Sequence, residues 1–183
     1  MTQPGSKVKQ MALISLMTAI ICVLAPISLT LPTSPVPISP ANMVICFTVM
    51  ILGMKRGTLS VLIYILLGLA GLPVFSYFTG GIGKLLGPTG GYIMGYLFLS
   101  LILGLFAERF KNKPIPSIIG ALLGTICLYA FGTVWMMLQL EISLTTALWT
   151  GVLPYIPADL IKIIAAILMG NRLRKRLTQS GLI

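Results

Sequence analysis

Residues 115–138 read Ile115-Pro-Ser-Ile-Ile-Gly-Ala-Leu-Leu-Gly-Thr-Ile-Cys-Leu-Tyr-Ala-Phe-Gly-Thr-Val-Trp-Met-Met-Leu138, with no charged side chain among them. An α-helix rises about 1.5 Å per residue, and the hydrocarbon layer of a bilayer is about 30 Å thick. The run is therefore long enough to cross a membrane with some tilt. It carries no polar stripe that would let one face meet water, so it reads as a helix apolar on all sides. This segment sets the fold class as a helical integral membrane protein.

Composition extends that reading to the whole chain. Of 183 residues, 57% are hydrophobic and 9% charged, and the mean hydropathy is +1.02. Soluble domains carry about 25% charged residues. Sixteen charges, 13 basic and 3 acidic, cannot cover a water-soluble surface. A soluble enzyme, a disordered regulator and a secreted disulfide scaffold are excluded. Further apolar runs lie on both sides of the first, and the spans are expected at 8–26, 39–54, 57–75, 91–107, 115–138 and 155–170. The expected architecture is one transmembrane domain over 1–183, an all-α bundle of six helices.

The net charge of +10 is distributed in short basic clusters between apolar runs. That is the pattern of membrane loops, whereas nucleic-acid binders gather basic residues on one folded face with aromatics interleaved. Nucleic acid is not an expected partner. With the N-terminus cytoplasmic, the inner side holds Lys7, Lys9, Lys55, Arg56, Arg109, Lys111, Lys113, Arg172, Arg174, Lys175 and Arg176. Only Lys84 falls outside, and Lys162 lies within the sixth span. The positive-inside rule then puts both termini in the cytoplasm. Lys7 and Lys9 before an apolar run imitate a secretory signal, but the run is long and lacks an A-x-A cleavage site. It reads as a retained span.

Catalytic and metal chemistry find no support. There is no histidine, and Cys22, Cys46 and Cys127 lie inside apolar runs without C-x-x-C spacing. A zinc site needs several such ligands and a catalytic thiol needs a base. The cysteines read as small core- or lipid-facing residues, and no cofactor is expected. No G-x-x-x-x-G-K-[ST] occurs, so the chain brings no P-loop for ATP.

Two outer loops are distinctive. The first has Pro32, Pro35, Pro37 and Pro40; proline fixes φ, so this loop is stiff and reads as a shaped lid. The second runs from Thr79 to Tyr92 with glycines at 80, 81, 83, 87, 90 and 91. It feeds the start of the fourth span, where backbone N–H groups can hold an oxygen.

Asp159 and Lys162 stand inside the sixth span, three residues apart and on one helix face. Counted from Tyr155, they lie about 6 and 10 Å below the outer end. Each charge in mid-membrane costs about 2.5–3.5 kcal/mol, and intramembrane charges mark functional sites by default. Pro154 and Pro157 place Asp159 near the helix N-terminus, whose dipole favours a carboxylate. Asn42 supplies either a helix cap or a buried donor and acceptor, while Gln139 and Glu141 read as interfacial. Gly91-xxx-Gly95, Gly120-xxx-Gly124 and Ser15-xxx-Ala19, with Ala12 one turn earlier, are small-residue intervals suited to helix packing.

Together, Pro35-Val-Pro-Ile-Ser39, Gly68-Leu-Ala-Gly-Leu-Pro-Val-Phe75, Leu86-Gly-Pro-Thr-Gly-Gly-Tyr92 and Leu153-Pro-Tyr-Ile-Pro-Ala-Asp-Leu-Ile-Lys162 resemble the BioY family. These are the biotin-binding S-components of energy-coupling factor (ECF) transporters, and the resemblance spans nearly the whole chain. It implies a six-helix subunit in the plasma membrane of a prokaryote that captures biotin from outside. Its implied partners are a transmembrane coupling subunit and two cytoplasmic ATPases. It also implies that small residues of the first helix, here Ala12, Ser15 and Ala19, meet the coupling subunit, with serine in place of the first alanine of an A-x-x-x-A pattern.

Biotin has a ureido ring with two N–H donors and a carbonyl, an apolar thiophane ring and a valerate carboxylate. A carboxylate suits the two N–H groups, so Asp159 is the expected acceptor and Lys162 the donor to the carbonyl. Asn42 is a further polar candidate. The valerate would lie toward Lys84 and the backbone of Thr89, Gly90 and Gly91. Tyr92, Phe75 and Tyr155 are candidate apolar walls. The alternatives are an S-component for another vitamin and a stand-alone carrier. A cationic vitamin such as thiamin would be repelled by Lys162 and Lys84.

Overall fold

The computed structural model describes residues 4–31 and 34–181. Pro32, one of the four loop prolines, lies outside the described residues. The described residues form eight helices, α1 (Pro4–Leu24), α2 (Ala41–Leu52), α3 (Met54–Leu69), α4 (Ile82–Leu86), α5 (Gly90–Arg109), α6 (Pro114–Leu140), α7 (Leu144–Gly151) and α8 (Ile156–Gln179). A short antiparallel hairpin, β1 (Leu29–Leu31) and β2 (Ser34–Ile38), is inserted between α1 and α2.

Within α1, α5 and α6 the stretches Lys7–Leu24, Gly90–Arg109 and Pro114–Leu140 are long and apolar enough to cross a membrane. A fourth span is formed if α7 and α8, bent by 49° at their junction, count as one. The bend falls at Pro154 and Pro157, which suit a helix start and not a helix interior. Helix α2 has only 12 residues, 10 of them buried, and packs on α1, α3, α5 and α8. A helix enclosed by protein on every side does not need the full bilayer length.

The helix bounds differ from the apolar runs where turn chemistry intervenes. The third run was expected to continue to Phe75, yet α3 stops at Leu69. Gly71 adopts φ +102° and Pro73 cannot continue the helix, so the chain doubles back. The Phe75 ring then covers Gly68, where an added Cβ would sit 2.1 Å from its Cζ, and meets Tyr64 edge-on at 5.6 Å. At the other end of the chain, α8 runs on through the basic tail to Gln179. Apolar burial sets spans, but backbone hydrogen bonding continues a helix into water.

The proline-rich segment is paired strand, not free extended chain: Leu29 pairs Ile38 and Leu31 pairs Ser34. Proline is tolerated there because β2 has one partner, leaving a free edge that needs no donor.

The most extensive helix pair is α5 with α6. Cβ atoms added at Gly91 and Gly132 would lie 2.3 Å from Trp135 Cβ and 2.4 Å from Tyr92 Cδ1. One at Gly95 or Gly124 would meet Leu128 or Leu99 at about 3 Å. The small-residue intervals on these two helices therefore serve packing within the chain.

At the basic end of the bundle, α2 and α3 are separated by Gly53 alone, at φ +81° and ψ −179°. Arg174 Nη1 donates to the carbonyls of Met50 and Ile51, both at 3.2 Å, and Glu108 Oε1 accepts from Met54 N at 2.8 Å. A cation thus serves the C-terminus of α2 and an anion the N-terminus of α3, as the helix dipoles favour. Burial lowers the Arg174 pKa, with Glu108 raising it and Arg56 lowering it further.

Candidate functional site

The site begins with the first turn of α8, where Tyr155 is the residue preceding the helix and Asp159 faces inward. Asp159 is 9% exposed and accepts from three side chains. Lys162 Nζ reaches Oδ1 at 3.1 Å, one turn along the same helix. Asn42 Nδ2 reaches Oδ2 at 3.1 Å from α2, and Tyr129 Oη donates to the same oxygen at 2.6 Å from α6. A buried carboxylate is tolerated when paired and hydrogen-bonded, and this one is held by donors from three helices.

Asn42 is not the helix cap, because Pro40 occupies that position. Its side chain is turned to Asp159, and its Oδ1 accepts from Cys46 Sγ at 3.7 Å. Lys162 Nζ also donates to the Ser39 carbonyl at 2.9 Å, tying α8 to the end of the hairpin.

The hairpin roofs the cluster. Ser34 Oγ donates to the Thr150 carbonyl at 2.6 Å, and Tyr155 Oη donates to Ser34 Oγ at 2.8 Å and also reaches the Val36 carbonyl. Ser39 Oγ donates to the Ala25 carbonyl at 2.9 Å. Beneath this roof is a cavity of about 50 Å³ lined by Val36, Asn42, Tyr96, Tyr129, Asp159 and Lys162, with Tyr92 and Tyr155 at its walls. Tyr92 Oη donates onward to the Gly151 carbonyl at 3.3 Å.

Five of the expected site residues are therefore together: Asp159, Lys162, Asn42, Tyr92 and Tyr155. Phe75, Lys84, Thr89, Gly90 and Gly91 do not line this cavity. Phe75 is fully buried against Tyr64 and Gly68. Thr89 precedes α5, Gly90 packs on the Leu85 carbonyl and Gly91 on Trp135. Lys84 sits half-buried on α4, where loss of hydration lowers its pKa.

Tyr96, Tyr129 and Ser39 are additions that linear reading missed. Tyr96 lies one turn beyond Tyr92, a spacing that was available as a signal. Tyr129 sits 30 residues from Asp159 in an otherwise apolar run, and only a buried hydroxyl's need for a partner pointed to it.

A second and larger crevice, about 620 Å³, opens between α6, α7 and α8 and shares Tyr129 and Asp159 with the polar cavity. Its remaining walls are mostly aliphatic, among them Leu122, Ile126, Leu148 and Ile163. An ionised group gains nothing in such a lining.

Known proteins resemble this chain throughout. The model of the BioY family matches residues 1–179. A probable biotin transporter BioY from Pyrococcus horikoshii is 38% identical over 168 residues, covering 92% of this chain and 98% of that one. The biotin transporter BioY of Thermotoga maritima is 36% identical over 167 residues, covering 91% and 96% respectively. A solved S-component for biotin from an ECF-type ABC transporter superposes with a TM-score of 0.89 at 35% identity, covering 96% of this chain and 95% of that one. With its helical bundle and its polar cluster under a proline-bearing hairpin, the chain belongs to the BioY family.

Proposed function

We propose that this protein captures biotin from outside the cell and mediates its uptake with an ATP-driven ECF module. The observation that carries the reading is the cluster of Asp159, Lys162, Asn42 and Tyr129 beneath the hairpin. Its unused hydrogen-bonding capacity matches the ureido ring. Among the described residues Asp159 Oδ1 accepts only from Lys162, so it can take a ureido N–H. Asn42 Oδ1 has room for the other N–H. Lys162 uses its ammonium on Ser39 and Asp159, which leaves a proton for the ureido carbonyl.

Tyr92, Tyr96 and Tyr155 supply faces for the thiophane ring. The valerate carboxylate does not belong in the aliphatic crevice, so it points up toward the Gly-rich segment carrying Lys84, Thr89, Gly90 and Gly91. A cavity of about 50 Å³ is well below the roughly 300–1,000 Å³ of small-molecule pockets. Biotin entry therefore lifts the hairpin off Thr150 and Tyr155, and the same bonds close it again. The ligand is transported and is not a cofactor.

In the membrane, six spans cross with both termini cytoplasmic, in the plasma membrane of a prokaryote. Helix α2 is a short span sheltered by its neighbours, α3 is a second short span, and α7 with α8 forms the last. ATP hydrolysis belongs to two partner ATPases acting through a transmembrane coupling subunit.

Biotin titration of purified Asp159→Asn and Lys162→Ala tests the site. Hydrogen bonds to charged groups contribute about 1.5–3 kcal/mol, so each variant should bind about 10- to 100-fold more weakly. Unchanged affinity in both overturns the assignment.

A further inference from the structure

The end of the bundle opposite Asp159 contains a second polar cavity, of about 370 Å³, between the α5–α6 turn and the last turns of α8. Lys111 and Asn112 line it from the turn, where both hold positive φ (53° and 55°), and Asn171, Arg174, Lys175 and Gln179 line it from one face of α8. Three cations meet there, and among the described residues no carboxylate lines the cavity. Of the chain's three acidic residues, only Glu108 is near, and its Oε1 is engaged by Met54 N.

The donors are largely unused. Arg174 spends only Nη1 on the α2 carbonyls, and no described residue accepts from its Nη2 or Nε. The ammonium groups of Lys111 and Lys175 have no ion-pair or hydrogen-bond partner among the described residues. Asn112 lines the cavity with the rest of its residue, its Oδ1 being turned into the protein without a hydrogen-bond partner among the described residues. The occupant therefore carries negative charge. The neighbouring positions Phe110, Ile115 and Leu173 expose apolar side chains, so acyl chains can lie against the cavity's rim.

We propose that this cavity binds the phosphodiester headgroup of an anionic phospholipid, with Lys111, Arg174 and Lys175 on the phosphate. The proposal rests on the membrane-spanning reading of the chain and is independent of its ligand. Basic pockets at the cytoplasmic ends of membrane helices hold headgroups in this way, each cation adding attraction near the surface. An acidic segment of a partner protein would satisfy the cations, but it would leave the apolar rim without a role.

Native mass spectrometry of the full-length protein tests it, in detergent micelles containing equal phosphatidylglycerol and phosphatidylcholine. The wild type should retain phosphatidylglycerol about tenfold over phosphatidylcholine, and Lys111→Gln/Lys175→Gln should abolish most of that preference. Gln179→Glu, a surface change, should weaken it in a protein that folds normally. Lys7→Gln/Lys9→Gln, removing equal charge elsewhere, should leave it intact. Equal retention of the two lipids overturns the proposal, as does an equal loss in the Lys7/Lys9 variant. Displacement of the lipid by millimolar glycerophosphoglycerol or inorganic phosphate would assign the cavity to a soluble anion, and that also overturns it. Biotin binding, measured on the same samples, should be unchanged in all variants. Its absence from the wild type would refute the transport reading and leave the lipid result standing.

Discussion

Asp159 shows how a single charge organises one end of this protein's bundle. Its three donors come from α2, α6 and its own helix, so removing any one leaves an under-satisfied buried carboxylate. Tyr129→Phe deletes the 2.6 Å bond while keeping the ring. It should weaken biotin binding by about tenfold or more, because a hydrogen bond to a charged group is worth about 1.5–3 kcal/mol. Equilibrium titration checks this, and wild-type affinity would mean that Tyr129 serves packing alone. The Asp159–Lys162 pair was legible in sequence because three-residue spacing on a helix is a local relation. The Asn42 and Tyr129 contacts were not, since they join positions 117 and 30 residues apart.

At the scale of elements, α5 and α6 approach closely because glycine occupies the contact. A Cβ at Gly132 would sit 2.4 Å from the Tyr92 ring, which lines the polar cavity. Gly132→Ala should therefore lower the melting temperature in detergent, through overpacking of about 1–3 kcal/mol. It should also weaken biotin binding by moving Tyr92. Gly83→Ala, with nothing within 4 Å of the added carbon, should stay within about 0.5 kcal/mol of wild type. A thermal melt of both variants decides the matter; equal stability would contradict the packing account. The glycine intervals were visible in the sequence, but they do not name the helix they face. The hairpin was legible only as a stiff loop, and its seat over the polar cluster is set by bonds to Thr150 and Tyr155 far along the chain.

Across the whole molecule, burial is uneven. Only 17% of the Lys7–Leu24 stretch is buried, against 10 of the 20 residues of Gly90–Arg109. Ala12, Ser15 and Ala19 all point away from the bundle, as do Val8, Met11 and Val23. A peripheral helix with a small-residue stripe suits close approach by another membrane helix, because small side chains let backbones meet. Ala19→Leu should leave biotin binding unchanged and abolish ATP-dependent uptake in cells co-expressing the coupling subunit and ATPases. Full uptake by the variant would move the coupling surface elsewhere. Uptake by this chain alone would make it a carrier.

The sequence by itself determined that the chain lives in a membrane, because the burial of apolar side chains is additive and local. It likewise placed Asp159 and Lys162 on one helix face. Which residues surround that pair was decided only by tertiary structure. Satisfying a buried charge is a contest among donors brought together from distant segments, here Asn42, Tyr129 and the Ser39 carbonyl that holds Lys162. For the same reason Phe75, apolar and adjacent to a turn, became a core plug on Gly68 and not a cavity wall. A side chain's chemistry is written in the sequence, whereas the direction it faces is set by the packing of the helices around it.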